Sequence, residues 1–520
     1  MNKAKILWVD DEVEFLQPHI LFLKDKGYDV ETATNAEDGL DLIRQHNFDL
    51  VLLDEMMPGK DGLTALTEIK QIRPGLPVIM ITKSEEESLM EDAIGAQIND
   101  YLTKPVNPSQ ILSATKKILE SRNISQKKFT RDYTQELNKI TMKLMSHLSP
   151  EDWIEIYHKL CTWDVDLDSL PDQELREIIH NQRRECNVEF GKYIERNYID
   201  WVNADKEDRP TLSNDIIEKY VHPELAKGNK VVFVVIDCMR LDQWLAMERY
   251  FYDYYTIQKD YYFSILPTAT PFSRNAIFSG LLPSELEQRY PEMWAQGEDD
   301  DHSRNRHESQ LLYDQLRLLG LKLKTEPRYS KIISVDEGKN LEKNLAASLD
   351  TPLFSIVVNF VDILAHSRSD LPILKQIAPD EPSYRSLTCS WFEHSSIYRV
   401  FQKLAERKDL TIFITSDHGS IRCMRGTKVL GDRETSTNLR YKYGRNLKAD
   451  GKHAFFISNP LDGKLPRRKV NINYIVAKED YYFVYPTNYH KYLSYYRDSF
   501  QHGGISMEEM ILPVIKLQPK

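Results

Sequence analysis

Paired cysteines, long apolar runs and an excess of basic residues are all missing from this chain, and each absence removes a class of protein. Its five cysteines (161, 186, 238, 389 and 423) are odd in number and form no CxxC pair. A disulfide scaffold is therefore not expected, and a reducing compartment is. No stretch approaches the ~18 consecutive apolar residues that cross a membrane. The opening MNKAKILWVDDE meets Asp10 and Asp11 too early to supply a signal peptide's apolar segment, so a cytoplasmic location is expected. The net charge of −11 is uneven: residues 1–120 hold 12 Lys and Arg against 22 Asp and Glu, and the remainder 56 against 57. That balance argues against a duplex-DNA-binding output, although a local basic groove stays open. With 41% apolar and 10% aromatic residues, wholesale disorder is excluded. A length of 520 residues suggests about three domains.

What is present is a set of β-branched and aromatic runs that end in acids. In the first 120 residues, ILWVDDE (6–12) and FDLVLLD (48–54) end in carboxylates, and VIMIT (78–82) ends in a hydroxyl. Helix-length amphipathic segments lie between them, the alternation of a doubly wound parallel sheet. Asp10, Asp11 and Asp54 then meet at one edge, where their repulsion is relieved by a hard cation such as Mg²⁺. Lys104, before Pro105, is placed to meet a phosphoryl oxygen.

The VDDE pair, Asp54 followed by MMPGKDG, Thr82 and the run Tyr101–Leu–Thr–Lys104–Pro105 resemble the response-regulator receiver family, a flavodoxin-like fold. The resemblance implies that Asp54 accepts a phosphoryl group from a sensor histidine kinase. It also implies that Asp11, Asp54 and the Met56 carbonyl hold Mg²⁺ beside Asp10, that Lys104 pairs with the phosphate, and that Thr82 and Tyr101 relay the change.

Residues 122–208 read as helical. Leu137, Ile140, Leu144 and Leu148 recur at helical spacing, as do Trp153, Ile156, Tyr157 and Leu160, and a third pattern runs from Leu175 through Ile179, Gln182 and Cys186. Ser149–Pro150 is a helix start. A three-helix bundle connector is expected, as a spacer or as a relay.

Downstream, VVFVVID (231–237), SIVVNFVD (355–362) and LTIFITSDH (410–418) read as buried parallel strands, and ligand sites of open α/β sheets lie beyond such strand ends. Asp362 and His366, four apart, suit one face of a starting helix. Asp417–His418 turn through Gly419, His502 opens HGG, and Ser506 with Glu509 forms a capping box. Mixed imidazole and carboxylate donors without thiolate favour Zn²⁺ or Mn²⁺ over Mg²⁺. Thr270, in LPTATPFSRNAIFSGLLPS (266–284), is a candidate nucleophile that metals would activate. Arg274 is read as holding a substrate phosphate or lying exposed. Cys238 is expected in the core, GEDDDHSRNRHES (297–309) as a surface loop or flap, and the tyrosine-rich 474–496 as sheet packing rather than base stacking.

Asp237, the PTAT loop ending at Thr270, Asp362-x3-His366, Asp417–His418 and His502–Gly–Gly, in that order, resemble the alkaline phosphatase superfamily, most closely its PglZ-type members, across roughly 210–520. That likeness implies two zinc ions: one on Asp362, His366 and His502, the other on Asp237, Asp417, His418 and the Thr270 oxygen. Thr270 cannot mature to formylglycine, which excludes sulfatase chemistry, and no room exists for the large second domain of phosphoglycerate mutases. Phosphomonoester or phosphodiester hydrolysis remains, and the threonine resembles the superfamily's phosphodiesterases, with nucleotides or short oligonucleotides as substrates. The expected division is a receiver at 1–121, the connector at 122–208 and a doubly wound, alkaline phosphatase-like α/β domain at 209–520. This order resembles PorX-type response regulators of Bacteroidota, associated with type IX secretion. It implies a phosphorylation-dependent homodimer, with a secretion-motor protein or sigma factor as partner. A non-catalytic, zinc-containing adaptor is the alternative.

Overall fold

The computed structural model describes residues 4–73, 75–83, 98–119, 133, 135–169, 173–295, 305–432, 436, 438–467 and 471–520. The polar stretch 297–309 lies outside the described residues up to position 304. The chain forms two compact units, Met1–Glu136 and Leu137–Lys520. Among the described residues no helix is long and apolar enough to cross a membrane, and all five cysteines are buried thiols.

The first unit is a parallel sheet of β1 (Lys5–Val9), β2 (Asp29–Ala33), β3 (Leu50–Asp54), β4 (Val78–Thr82) and β5 (Asp100–Thr103), ordered β2-β1-β3-β4-β5. Its central strands β1, β3 and β4 are mainly apolar because both their faces are covered, whereas the edge strands β2 and β5 are more polar. Leu7, Val9, Val51, Leu53, Val78 and Met80 enter one core, whereas Ile6, Trp8, Leu50, Leu52, Ile79 and Ile81 enter the other. Asn35 and Asp61 start helices by accepting hydrogen bonds from the backbone N–H groups of Asp38 and Thr64. The strand order places the carboxyl ends of β1 and β3 side by side.

The second unit is built on six strands. β6 (Lys230–Ile236), β7 (Tyr255–Phe263), β8 (Arg328–Ile332), β9 (Leu353–Val358), β10 (Leu410–Thr415) and the C-terminal strand Ile511–Pro519 are ordered β7, C-terminal strand, β10, β6, β9, β8. The last four of that order are parallel, as the apolar runs predict. The C-terminal strand and β7 add an antiparallel edge. Alternate residues again serve two cores: Val231, Phe233 and Val235 on one face, Val232, Val234 and Ile236 on the other. The tyrosine-rich region forms strands Asn473–Ala477 and Tyr481–Val484 and helix Tyr489–Tyr496, with Tyr474 and Tyr482 buried.

The connector is helical, but its core is not its own. Helix Pro150–Asp166 opens with the Ser149 capping box, and a 31-residue helix, Gln173–Asn203, follows. Trp153, Ile156, Tyr157, Leu160, Cys186, Phe190, Tyr198 and Trp201 join the same buried cluster as Phe233 and Phe263. The Trp153 and Phe190 rings meet edge-on at 5.2 Å, and Trp201 meets Phe263 at 5.2 Å. Charges reinforce this seam: the buried Arg385 donates to Asp164 and Asp168 of the connector and to Asp242 just beyond β6. Asn187 donates to Glu508 and accepts from the Met507 N–H.

Trp153→Ala is accordingly expected to cost ~3–5 kcal/mol and to destabilise β6 together with the connector. Hydrogen exchange checks this; faster exchange confined to the two connector helices would count against a shared cooperative unit.

Candidate metal centres

In the receiver unit, Asp10, Asp11 and Asp54 present oxygens within 4.8 Å of one another. Asp10 and Asp54 are buried and Asp11 is exposed. Lys104 Nζ lies 2.9 Å from Asp10 Oδ2 and 3.0 Å from Asp54 Oδ2. Burial pushes the Asp54 carboxyl above its usual range; the hydrogen bond from Lys104 opposes this, and the charges of Asp10 and Asp11 add to it. An all-oxygen cluster with one exposed member suits a hard, partly hydrated cation. The Thr82 hydroxyl is buried and donates to the Glu55 carboxylate. Tyr101 packs half-buried against the core, and the Met56 side chain is exposed.

In the second unit every candidate lies beyond the carboxyl end of a strand or at a helix start. Asp237 follows β6, Asp417 and His418 follow β10, and His502 follows strand Ser499–Gln501. Asp362 and His366 sit one turn apart on helix Phe360–Asp370, and Thr270 opens helix Thr270–Ser279. They gather into two clusters. In the first, His366 Nε2 lies 3.2 Å from His502 Nε2 and 3.4 Å from Asp362 Oδ1, and His502 Nε2 lies 3.6 Å from the same oxygen. In the second, Thr270 Oγ1 is 2.9 Å from His418 Nε2 and 3.4 Å from Asp237 Oδ1. His418 Nε2 lies 3.6 Å from Asp237 Oδ1 and 3.8 Å from Asp417 Oδ2. The stacked rings of His418 and His502, 4.2 Å apart, join the clusters.

The donors are dressed for a cation. Bond lengths of ~2.0–2.1 Å to tetrahedral zinc require donors ~3.3–3.4 Å apart; the separations here, 3.2–3.6 Å in the first cluster and 2.9–3.8 Å in the second, bracket that distance. Asp362 Oδ1 and Asp417 Oδ2 are buried without a hydrogen-bond partner. Asp417 Oδ1 is instead occupied by the N–H groups of Cys238 and His418. His418 Nδ1 faces the Gly419 carbonyl at 3.1 Å, which fixes the tautomer whose Nε2 offers a lone pair to the cluster. Burial pushes the His502 imidazole well below its usual pKa, which favours its neutral, lone-pair-bearing form. His366 is half exposed, so the first cluster opens to solvent.

Backbone geometry keeps these groups inward. Cys238 takes a left-handed φ of 66°, which aims its N–H at Asp417; its thiol is buried and raised far above its usual pKa by burial. Gly419 is required because a Cβ there would strike the Glu508 carbonyl. The HGG turn is braced by Arg440, which packs on Gly504 and pairs with Glu509. Glu509 also accepts from the Gly504 N–H and from Ser506 of the predicted capping box.

Arg274 is neither exposed nor free for substrate. It is 1% exposed, with Nη1 2.6 Å from Asp237 Oδ2 and Nε 2.5 Å from Glu308. Arg274 follows Thr270 by four positions, so it lies one helical turn on along the same face, where its guanidinium meets the buried carboxylates of Asp237 and Glu308. Asn359, which donates to Asp237 Oδ2 at 2.8 Å, and Asn305, which donates to the Thr270 carbonyl at 3.3 Å, also escaped sequence reasoning. Asn359 had a signal, since it lies three residues before Asp362; Glu308 and Asn305 had none.

Three family profiles match the chain: the response regulator receiver domain over residues 6–116, the PorX response regulator linker domain over 123–202, and the BREX system PglZ alkaline phosphatase-like domain over 216–517. Among curated proteins, the transcriptional regulatory protein ResD of Bacillus subtilis is 32% identical over 148 residues, 28% of this chain and 59% of that protein. The alginate biosynthesis regulator AlgB of Pseudomonas putida is 37% identical over 124 residues, 24% of this chain and 28% of that protein. The chain thus spans less than two thirds of either relative. Among solved structures, a CheY-like receiver from Methanospirillum hungatei is 31% identical, covering 24% of this chain and 99% of its own with a TM-score of 0.23. CheY4 of Vibrio cholerae is 27% identical, covering 23% and 100% with a TM-score of 0.22.

The raised Asp54 pKa has a measurable consequence. An unfolded aspartate titrates near ~3.9, so the folded state binds the proton more tightly and ionisation above that pH costs stability. Asp54→Asn should raise the unfolding free energy of the receiver at pH 7, the gain over wild type vanishing as pH falls below ~4. Mg²⁺ should stabilise the wild type more than the variant. Urea unfolding read by hydrogen exchange in β3 checks this, and a variant no more stable at pH 7 than at pH 3.5 contradicts it.

Proposed function

Because the chain belongs to the PglZ alkaline phosphatase-like family and carries a response-regulator receiver and a PorX-type linker ahead of that domain, we propose that it is a two-component response regulator whose output is zinc-dependent phosphodiester hydrolysis. One observation carries the reading: Thr270 Oγ1 stands 2.9 Å from His418 Nε2, at a helix start, beside two adjoining three-donor clusters.

Asp362, His366 and His502 would hold one zinc ion, and Asp237, Asp417, His418 and Thr270 the other. When bound, they would supply Lewis-acid stabilisation of the phosphoryl oxygens and lower the proton affinity of the threonine hydroxyl. The chain's own residues do the rest. The first N–H groups of helix Thr270–Ser279 place a partial positive charge where a phosphate approaches. Thr270 Oγ1 lies 2.9 Å from His418 Nε2 and 3.4 Å from Asp237 Oδ1, which holds the hydroxyl oxygen in place with a lone pair for phosphorus. Attack forms the Thr270 O–P bond and breaks the ester O–P bond in line, the hydroxyl proton passing by way of solvent to the departing alkoxide, which leaves as an alcohol; water then cleaves the threonine phosphodiester, restoring Thr270 and releasing a phosphomonoester.

Structural zinc is usually enclosed by four protein donors, whereas the half-exposed His366 and the three-donor first cluster leave space for substrate. This favours the enzyme over the adaptor. The substrate class we assign is a nucleotide or short oligonucleotide. We assign control to Asp54: a histidine kinase phosphorylates it, the chain dimerises, and the output bears on type IX secretion through a motor protein or sigma factor.

Thr270→Ala is expected to lower hydrolysis of bis-p-nitrophenyl phosphate and of short RNA by about 10³-fold or more at matched zinc content. Equal low rates in variant and wild type would remove the catalytic role. Asp54→Ala should keep its zinc and lose any increase in molecular mass produced by acetyl phosphate; a wild type that stays monomeric would refute control by dimerisation.

A further inference from the structure

The two clusters differ in how their charge is met. The Asp362–His366–His502 cluster holds one carboxylate, two imidazoles and a half-exposed member. The Asp237–Asp417–His418 cluster is wholly buried and holds two carboxylates. Two buried carboxylates in one pocket repel each other and lose their hydration, and an internal cation offsets both costs while the pocket awaits metal.

Arg274 is in that position. Its Nη1 touches Asp237 Oδ2 at 2.6 Å and lies 3.8 Å from Asp417 Oδ2. Arg274 and Asn359 both bind the same oxygen of Asp237, so Oδ1 alone is turned toward Thr270 and His418. Arg274 is itself held: its Nε donates to Glu308, which also accepts from Asn305 and Tyr329. No such guanidinium stands against Asp362 among the ion pairs of the described residues.

Building on the two-zinc reading above, we propose that Arg274 is the positioning residue of the buried pocket only: it selects the ligating oxygen of Asp237 and neutralises that pocket in advance. Its removal disables the Asp237–Asp417–His418 site and spares the Asp362–His366–His502 site. Residues that orient ligands from behind typically change metal affinity by 10–100-fold, and here the change falls on one ion of the pair.

The test is metal stoichiometry and affinity in the full chain, by competition with a chromophoric chelator and by Co²⁺ absorption. Arg274→Met alone leaves Glu308 buried without its guanidinium, so Arg274→Met/Glu308→Gln, which removes both back-pair charges, is compared beside it. His366→Ala isolates the buried pocket. The expected results are two ions for wild type, one for His366→Ala, one at wild-type affinity with the second weakened 10–100-fold for Arg274→Met/Glu308→Gln, and none or one weak ion for the combined variant. Two ions at wild-type affinity in Arg274→Met/Glu308→Gln overturn the proposal. So does loss of both ions while circular dichroism and melting stay unchanged. Failure of His366→Ala to bind any ion overturns the two-zinc reading itself, and the Arg274 role with it.

Discussion

Carboxylates gathered at the carboxyl ends of parallel strands repel one another and give up their hydration, and a fold can hold them there only by placing positive charge within hydrogen-bond reach. Both units of this chain are arranged around that constraint. In the receiver, Lys104 lies between Asp10 and Asp54. In the second unit, Arg274 stands against Asp237 and Asp417. The local features of the second site follow from the same need. The left-handed backbone at Cys238 and the close approach at Gly419 let backbone N–H groups and strand ends converge on Asp417. The Arg440–Glu509 pair holds the His502 turn against them.

The two lysine and arginine answers are not equivalent. Lys104 is a compact ammonium at the end of a flexible stem, partly buried and shared between two carboxylates, which suits a group able to change partner without moving the backbone. Arg274 is planar, fully buried and pinned on its far side by Glu308, which suits a group that must not move. The receiver site is thus built to alter its ion pairs, and the second site to keep them.

Much of this was legible in the amino-acid order, and the reason is geometric. A strand covered on both faces must be apolar at every position, so VVFVVID and LTIFITSDH announce both the strand and the point where it ends in chemistry. Asp362 and His366 were legible because four residues make one helical turn. The antiparallel edge formed by β7 and the C-terminal strand was not, since YTIQKDYYF and ILPVIKLQP carry no mark of strand direction. Arg274 read as a phosphate binder or an exposed residue because its spacing from Thr270 gives only a helical angle, and the carboxylates it meets come from β6 and from residue 308, distant in sequence. Asn305 and Glu308 stayed silent for the same reason.

The connector shows how a correct local reading leaves the larger arrangement open. Its apolar stripes predict helices, but a stripe does not name the surface it will cover. Phe190 and Trp201 meet Phe263, Trp153 packs on Phe190, and all four share one buried cluster with Val231, Phe233 and Val235 of β6, so the helices complete the core of the α/β domain. A spacer would bury its stripe within itself, apart from the loops that carry the candidate ligands. Here Asn187 of the long helix bonds both Met507 and Glu508, immediately after the His502 turn, and Glu508 in turn supplies the carbonyl against which Gly419 packs beside His418. Arg385 ties Asp164 and Asp168 of the connector to Asp242, five residues beyond Asp237. Ligands of both clusters are therefore separated from the connector by a few buried hydrogen bonds. Because close-packed interiors transmit displacement rather than absorb it, the long helix and the loops that carry Asp237, Asp417, His418 and His502 are coupled through shared packing rather than insulated from one another.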